Sequence, residues 1–153
     1  WDSSSDVAYL QSVRCKFCRN EDAYSWEKEI SEDSLARSLK SKGFALTLPI
    51  TSIKLRGHGR SGRALNVDIR HKNGLLKMRA SIFRSAVGTS VIRSTLIKSV
   101  KKVRGGFIFR GHGWGHGVGM CQHGAKGAAL KGYSYKKILK MYYPGAILRR
   151  WEE

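Results

Sequence analysis

The sequence predicts an α+β domain built from an antiparallel β-sheet, a loop rich in Gly and His, and helices near the C-terminal end. Two observations support this class. Segments with alternating apolar and polar residues fill the middle of the chain, and segments with helix-capping signals lie on either side. The 153 residues, 41% of them apolar and 26% charged, suffice for one domain with a hydrophobic core. We therefore expect residues 1–153 to form one domain.

The first predicted helix begins after Ser31 and ends at Gly43. Ser31 can cap its N terminus, acidic residues occupy the first turn and cationic residues the last, as the helix dipole favours. Leu35 and Leu39 are four residues apart and therefore lie on one face of the helix. Gly43 is a typical residue at which a helix ends.

Alternation predicts β-strands in the centre of the chain, over residues 52–56, 64–71, 75–79, 96–104 and 107–110. A glycine-containing turn over residues 57–62 separates the first two of these strands. Asn73-Gly74 is a strong signal for a two-residue hairpin turn between the second and third strands. These strands are therefore expected to pair in antiparallel fashion.

Three more helices are predicted. A short one covers residues 80–87, between the strands. The Ala-rich segment from Cys121 to Lys131 is the second. The third runs from Ser134, which can cap it, to Tyr143, and Pro144-Gly145 stops it.

The charge is large and unevenly distributed. Lys and Arg number 29 against 11 Asp and Glu, a net charge of +18. Residues 1–33 hold four basic and eight acidic residues (net −4), whereas residues 34–151 hold 25 basic residues and one acid (net +24). The acidic segment could lie against the basic body, but its charge is too small to neutralise it. Such a surface attracts polyanions, either nucleic acid or the anionic bacterial cell wall.

No membrane span is predicted, because no run of 18 apolar residues occurs. The start of the chain, Trp1-Asp2-Ser3-Ser4-Ser5, has neither the basic nor the apolar region of a signal peptide. We therefore expect the sequence to be a mature form or an excised fragment.

Asp68 is the one acid within residues 34–151. Enzymes that cleave glycosides normally use one or two carboxylic acids, so Asp68 is a candidate. Alternation places Val67 and Ile69 on one face of the strand and Asp68 on the other, polar face beside Arg70. A solvated strand carboxylate that pairs with an arginine is the favoured interpretation over a catalytic one.

The most informative stretch runs from Arg110 to Ala125. Six glycines in its sixteen residues alternate with two histidines and a tryptophan before a predicted helix. Such a backbone can turn sharply and approach a ligand closely. The stretch lacks the Lys-Ser/Thr of a P-loop and the spacing of a dinucleotide-binding motif. A purely structural glycine-rich turn is the alternative.

This stretch resembles a known family. The run Gly-His-Gly-Val-Gly-Met-x-Gln-x-Gly-Ala at 115–125 is similar to the signature of the stage II sporulation protein D / LytB family, and Cys121 stands where that family usually has Ser. Similar features occur in the same order along most of the chain: Tyr9-Leu10, Trp26, Ser61-Gly62-Arg63, Ile82-Phe83-Arg84 and Ile138 to Gly145. The resemblance implies a protein of the bacterial cell envelope.

The resemblance also implies a function. Characterised members are lytic transglycosylases, which cleave peptidoglycan glycan strands between N-acetylmuramic acid and N-acetylglucosamine by general acid catalysis. The catalytic glutamate of the family belongs to an earlier half, so we expect the general acid upstream of Trp1 and expect this chain to be the C-terminal, glycan-binding half of the domain. When that earlier half is present, the protein is expected to be an enzyme.

The residues expected to bind the glycan differ in their roles. Trp114 offers a stacking face for a sugar ring. His112, His116 and Gln122 offer hydrogen bonds to hydroxyl and N-acetyl groups. Arg84 and Arg110 could hold a lactyl or peptide carboxylate. Tyr142 and Tyr143 cannot share one helix face, so one is expected in the core, and Tyr143 is our candidate for the groove.

The three cysteines are Cys15, Cys18 and Cys121, and the first two form a C-x-x-C motif. The motif can be half of a zinc site, a redox pair or a disulfide. Zinc is the favoured interpretation, with Cys121 and His123 as further candidate ligands. Some relatives of the resembled family bind zinc through Cys and His in the upstream half, so the missing ligands could also lie outside this sequence.

Two other classes of function stay open. The chain could be a non-catalytic module that binds cell-wall glycan and recruits or activates an amidase. It could also bind nucleic acid through its basic body. Few aromatic residues lie among the basic ones and no nucleic-acid-binding motif is present, which argues against the last.

Overall fold

The computed structural model describes residues 8–18 and 24–149. They belong to two compact units, one formed by residues 22–116 and one that joins residues 1–21 to residues 117–153. We call the first the sheet unit and the second the helical unit, and describe each by itself.

The sheet unit contains six strands and two helices in its described residues: β1 (Ser25–Ser31), α1 (Glu32–Lys40), β2 (Ile50–His58), β3 (Ala64–His71), β4 (Gly74–Arg79), α2 (Ala80–Val87), β5 (Ile97–Val103) and β6 (Gly106–His112). The strands form two three-stranded antiparallel sheets, in the orders β1-β6-β5 and β2-β3-β4. The predicted α+β class is confirmed, with two sheets in place of one.

Helix α1 forms for the predicted reasons. The Ser31 hydroxyl accepts a hydrogen bond from the backbone N–H of Ser34 at 3.2 Å and caps the helix. Leu35 and Leu39 are fully buried, so the apolar face of the helix belongs to the core. Glu32 in the first turn accepts a hydrogen bond from the backbone N–H of Ile50, which ties the helix to β2.

The hairpin between β3 and β4 also forms as predicted, with His71 opposite Gly74 in the register. Asp68 in β3 pairs with Arg56 of β2 at 3.1 Å, so the predicted pairing of this acid with an arginine is confirmed. The expectation that this carboxylate is solvated was wrong, because the Asp68 side chain is only 15% exposed.

Strand β1 was not predicted from the sequence. Trp26 and Ile30 are buried, but Lys28 between them is exposed, which breaks the alternation of a half-buried strand. The strand forms because it pairs with β6 along its whole length, from Ser25 opposite His112 to Ser31 opposite Gly106.

This pairing brings acidic residues of β1 and of the first turn of α1 against basic residues of β6 and β5. Glu27 forms an ion pair with Arg110 of β6. Glu32 lies 3.6 Å from the ammonium of Lys102 on β5.

The core of the sheet unit receives residues from both sheets and both helices. Phe83 of α2 and Phe109 of β6 are fully buried, with ring centroids 5.8 Å apart. Other fully buried side chains surround them, namely Leu35, Leu39, Ile50, Val67, Ile69, Ile92 and Phe107. This core fixes β6, and with it the start of the loop rich in Gly and His.

The described part of the helical unit contains a 3-10 turn at Ala8–Leu10 and helices α3 (Gln122–Leu130) and α4 (Tyr135–Tyr142). Both helices were predicted, and the hydroxyl of Ser134 caps α4 by accepting a hydrogen bond from the Lys137 N–H at 3.4 Å. Ala128, Ile138 and Tyr142 form its small core. No helix in the described ranges is long and apolar enough to span a membrane.

Candidate functional site

His112 ends β6 and is held in a fixed orientation. Its ring stacks on Tyr24 with centroids 4.9 Å apart, and its Nδ1 lies 3.2 Å from the Ser25 hydroxyl. The fully buried Ser94 donates a hydrogen bond to the His112 carbonyl at 2.6 Å. The sequence predicted His112 but missed Tyr24, Ser25 and Ser94, because the pairing of β1 with β6 and the packing of the 94–96 segment bring these residues together.

Two glycines shape the loop that follows. Gly113 and Gly115 have φ of +69° and +106°, a region that side chains with a Cβ rarely adopt. The Gly113 N–H donates to the Tyr24 carbonyl at 2.7 Å, and the Gly115 N–H donates to the Arg93 carbonyl at 2.9 Å. The backbone is therefore pinned on both sides of Trp114, whose side chain is 56% exposed.

Trp114 has a cationic partner that the sequence did not reveal. The guanidinium carbon of Arg93 lies 4.7 Å from the centroid of the Trp114 ring, in cation–π geometry. Arg93 is fixed through its own carbonyl, which accepts a hydrogen bond from Arg84 Nε at 3.2 Å. Its Nε is buried and has no hydrogen-bond partner in residues 8–18 and 24–149. Trp114 and Arg93 thus form a rigid platform with one exposed aromatic surface.

Two further arginines support this platform. Arg63 Nη1 donates to the Gly115 carbonyl at 3.4 Å. Partial burial lowers the pKa of Arg84, the residue that the sequence proposed as a carboxylate ligand. In the structure Arg84 donates to the backbone of Arg93, so it contributes to the position of the platform.

A groove of about 470 Å³ runs along β1, β6 and β5 beside His112. Its lining comprises Ser25, Trp26, Glu27, Lys98, Ser99, Arg110, Gly111 and His112. Gly111 leaves no room for a side chain, since an added Cβ would lie 2.3 Å from the Trp26 ring. Arg110 was predicted to hold a carboxylate and is paired here with Glu27, a residue that sequence reasoning missed.

A second groove of about 460 Å³ lies on β2, β3 and β4 and is lined by Arg56, Asn66, Asp68, Lys77, Met78 and Arg79. It contains none of the residues predicted to bind glycan. The candidate site in the sheet unit is therefore the groove beside His112 together with the platform of Trp114 and Arg93.

The remaining predicted residues have different surroundings. His116 is exposed and belongs to the sheet unit. Gln122 is exposed in the first turn of α3, in the helical unit. Tyr143 is half-buried, and its hydroxyl accepts a hydrogen bond from the Met120 N–H at 3.1 Å, whereas Tyr142 is buried. The expectation that one of the two tyrosines belongs to the core is confirmed.

The cysteines lie together in the helical unit. Cys15 Sγ is 3.7 Å from Cys18 Sγ and 3.1 Å from the Tyr142 hydroxyl, and all three thiols are free. Burial, with Cys15 and Cys121 nearby, raises the pKa of Cys18 to about 12, and burial also raises the pKa of Tyr142.

Cys121 caps α3 through its sulfur, which accepts from the Gly124 N–H at 3.4 Å. His123, the fourth candidate ligand, lies in the first turn of that helix. As they stand, no three His, Cys, Asp or Glu side chains of the described residues are arranged to hold a metal ion. The zinc site stays a prediction at this point.

Comparisons with known proteins were made for the whole chain. A family described as a domain of unknown function (DUF8618) matches residues 5–119. An uncharacterised protein of Brachyspira hyodysenteriae (strain ATCC 49526 / WA1) is 36% identical over 139 residues, which are 91% of this chain and 36% of that protein. An amidase enhancer of Bacillus subtilis (strain 168) is 32% identical over 151 residues, 97% of this chain and 21% of that protein. The chain thus spans about a third and a fifth of the lengths of these two relatives.

Proposed function

Because the chain belongs to the DUF8618 family and is related to an amidase enhancer along 97% of its length, we propose that it is a module that binds cell-wall glycan in a bacterial peptidoglycan-processing protein. The relationship to an amidase enhancer indicates a role connected with the cell wall. The geometry of the candidate site supports the more specific proposal that the bound part of the cell wall is its glycan strands.

The observation that carries this proposal is the exposed platform of Trp114 and Arg93. The Trp114 side chain is 56% exposed, although its backbone is held on both sides by hydrogen bonds. An indole in this situation is free to stack on the apolar face of a sugar ring. Because the loop is already rigid, ordering it costs little when a ligand binds.

The charges around the platform suit an acidic glycan. Arg93 lies against Trp114, and Lys98 and Arg110 line the groove beside His112. Peptidoglycan carries carboxylates on the lactyl group of N-acetylmuramic acid and on its stem peptides, and guanidinium groups bind carboxylates well. His112 and Ser25 supply polar contacts in the same groove.

If the protein is an enzyme, the activity that we propose is that of a lytic transglycosylase. In that reaction one carboxylic acid protonates the glycosidic oxygen, and the 6-hydroxyl of the sugar attacks the anomeric carbon to give a 1,6-anhydro end. We assign binding and orientation of the glycan to this chain. Glu27, the carboxylate that lines the groove, is ion-paired with Arg110, so we do not assign it as the general acid.

Binding is tested with purified peptidoglycan sacculi and with chito-oligosaccharides. We expect Trp114→Ala to weaken both interactions at least several-fold. Tyr135→Ala is the matched control, because Tyr135 is 67% exposed on α4 and its removal deletes a similar exposed ring elsewhere. Equal binding by wild type and Trp114→Ala would overturn the proposal.

The products released from sacculi distinguish the remaining candidate functions. Soluble anhydro-muropeptides would identify the protein as a transglycosylase, whereas sacculus binding without products would identify a binding module. Faster cleavage of sacculi by an added amidase would support the second candidate, an amidase activator, which the amidase enhancer relationship favours. Tight duplex binding with a steep salt dependence, and no sacculus binding, would favour nucleic acid instead.

A further inference from the structure

The sheet β2-β3-β4 has a strongly basic outward surface that the proposed glycan site does not use. Ile53, Val67 and Met78, one on each strand, are buried in the core, so the residues next to them in each strand lie on the opposite side of the sheet. Five side chains on that side are basic and exposed, namely Lys54, Arg56, Arg70, Lys77 and Arg79. We call these five residues the cationic face.

Asp68, the one acid of residues 34–151, lies among these cations. In the strand register it is opposite Lys54 of β2 and Lys77 of β4. Its carboxylate accepts a hydrogen bond from Arg56 Nε at 3.1 Å. A guanidinium group of the cationic face therefore already binds a carboxylate, and the single negative charge leaves most of the positive charge of the face uncompensated.

The groove of about 460 Å³ on this sheet lies between the cations of the two outer strands. Asn66 and Asp68 line it from the central strand, Arg56 lines it from β2, and Lys77 and Arg79 line it from β4. The outer strands of a three-stranded sheet are about 10 Å apart, and successive outward residues of one strand are about 7 Å apart. An extended acidic peptide can lie over the central strand at this spacing, with carboxylates near the cations on both sides.

The concentration of positive charge opposes folding, because like charges on neighbouring strands repel one another. A bound anionic partner relieves this repulsion, so the cationic face fits a partner that carries several negative groups. Residues 50–79 contain no Phe, Tyr or Trp, on which the bases of single-stranded nucleic acid would stack. The relationship to an amidase enhancer indicates the cell wall instead.

We propose that the cationic face is a docking surface for the stem peptides of peptidoglycan, which carry carboxylates. This proposal rests on the proposed function, since it takes the cell wall as the partner. It adds a second contact that shares no residue with the platform of Trp114 and Arg93. Guanidinium and ammonium groups bind carboxylates through charge-assisted hydrogen bonds. Contacts with glycan and peptide of the same polymer reinforce each other, because the first contact holds the second ligand group nearby.

The first test uses the wild-type chain and a free stem tetrapeptide, with backbone amide resonances as the readout. We expect the tetrapeptide to shift the resonances of β2, β3 and β4 more than those of residues 112–116. The affinity should fall as salt is added, because exposed charges are screened. No shift in β2, β3 and β4 would overturn the proposal, and this result does not depend on whether a variant folds.

The second test removes charge from the cationic face and keeps the pair of Arg56 and Asp68. The double variant Lys54→Gln/Lys77→Gln should bind the tetrapeptide and peptide-bearing sacculi at least about threefold more weakly at low salt. Its affinity for neutral chito-oligosaccharides should not change. The matched control is Lys136→Gln/Lys140→Gln, which removes two exposed lysines from α4. Equal losses in the two double variants would overturn the proposal in favour of net charge.

Failure of this proposal is distinguishable from failure of the proposed function. Trp114→Ala should weaken binding of chito-oligosaccharides and keep binding of the free tetrapeptide, the reverse of the pattern for Lys54→Gln/Lys77→Gln. Glycan strands from which an amidase has removed the stem peptides should bind both Lys54→Gln/Lys77→Gln and wild type equally. If the lysine variant instead loses binding only to duplex DNA, or only to sacculi that still carry phosphodiester polymers, the stem peptide is not the partner.

Discussion

The guanidinium of Arg93 lies over the indole of Trp114, with 4.7 Å between the guanidinium carbon and the ring centroid. The two residues are separated in sequence, but the backbone N–H of Gly115 bonds to the Arg93 carbonyl and brings them together. An exposed aromatic ring in the sheet unit is thereby held in one orientation. This relationship explains how a glycine-rich loop can present a rigid binding surface.

Arg93→Met should release the Trp114 ring without altering the backbone contacts of residue 93. Exposed cation–π pairs contribute about 0.5–1 kcal/mol, so we expect the free energy of unfolding to fall by that amount. The affinity of Arg93→Met for peptidoglycan fragments that carry carboxylates should fall more than its affinity for neutral chito-oligosaccharides. Arg93→Lys should retain part of the affinity for each ligand. Denaturation and titration calorimetry measure these quantities, and an equal loss for both ligands would show that Arg93 does not recognise the carboxylate.

Gly113→Ala should impair glycan binding beyond its effect on stability. Gly113 has φ of +69° and no atom within 4 Å of an added Cβ, so the cost is backbone strain alone, about 1–2 kcal/mol. Gly132→Ala is the matched control, because Gly132 has φ of +78° and equally open surroundings in the helical unit. Both variants should lose similar stability, and only Gly113→Ala should bind sacculi less well. Equal sacculus binding by Gly113→Ala and Gly132→Ala would show that the loop does not take part in glycan binding.

Glu27→Gln should strengthen binding of anionic glycan. Glu27 and Arg110 are each 53% exposed, so losing their ion pair should change the unfolding free energy by less than about 1 kcal/mol. The freed Arg110 can then bind a ligand carboxylate, and the affinity should become more sensitive to salt. Glu29→Gln removes the same charge opposite Ile108 on the same strand pair and serves as the control. If both variants gain affinity equally, net charge rather than Arg110 explains the effect.

The stability of the metal-free, reduced protein should decrease above pH 9. The pKa of Cys18 is raised from 9.0 to about 12 in the folded chain, so between these values the unfolded state binds fewer protons than the folded state. The free energy of unfolding therefore falls as pH rises through this window. The raised pKa of Tyr142 acts in the same direction. In denaturant titrations from pH 8 to 11, the free energy of unfolding should fall less steeply for Cys18→Ser than for wild type. An identical fall in the two proteins would show that Cys18 does not keep its proton in the folded state.

Much of the fold could be predicted from local signals. Ser31 and Ser134 cap their helices as expected, and the alternation over residues 64–71 marks β3. Strand β1 could not be found in this way, because the exposed Lys28 between Trp26 and Ile30 interrupts its apolar pattern. Its pairing partner in β6 lies about 80 residues further along the chain, and only that partner defines the strand.

The candidate site was predictable only in part. The glycines and the imidazole and indole side chains of residues 111–116 are visible as a motif. Arg93, Tyr24 and Ser94, which fix Trp114 and His112, carry no local signal, since each contacts a residue that is remote in the sequence. The C-x-x-C motif was visible too, but not the approach of Tyr142 to Cys15.

The sequence by itself determined the class of fold, the capped helices, the charge asymmetry and the chemical types of the candidate residues, because these depend on composition and on spacing along the chain. Tertiary structure decided which of those residues meet. It paired Glu27 with Arg110, placed Arg93 on Trp114 and gathered the thiols around Tyr142. The physical reason is that strand pairing and close packing bring together groups that are remote along the chain, and no local pattern records the partner.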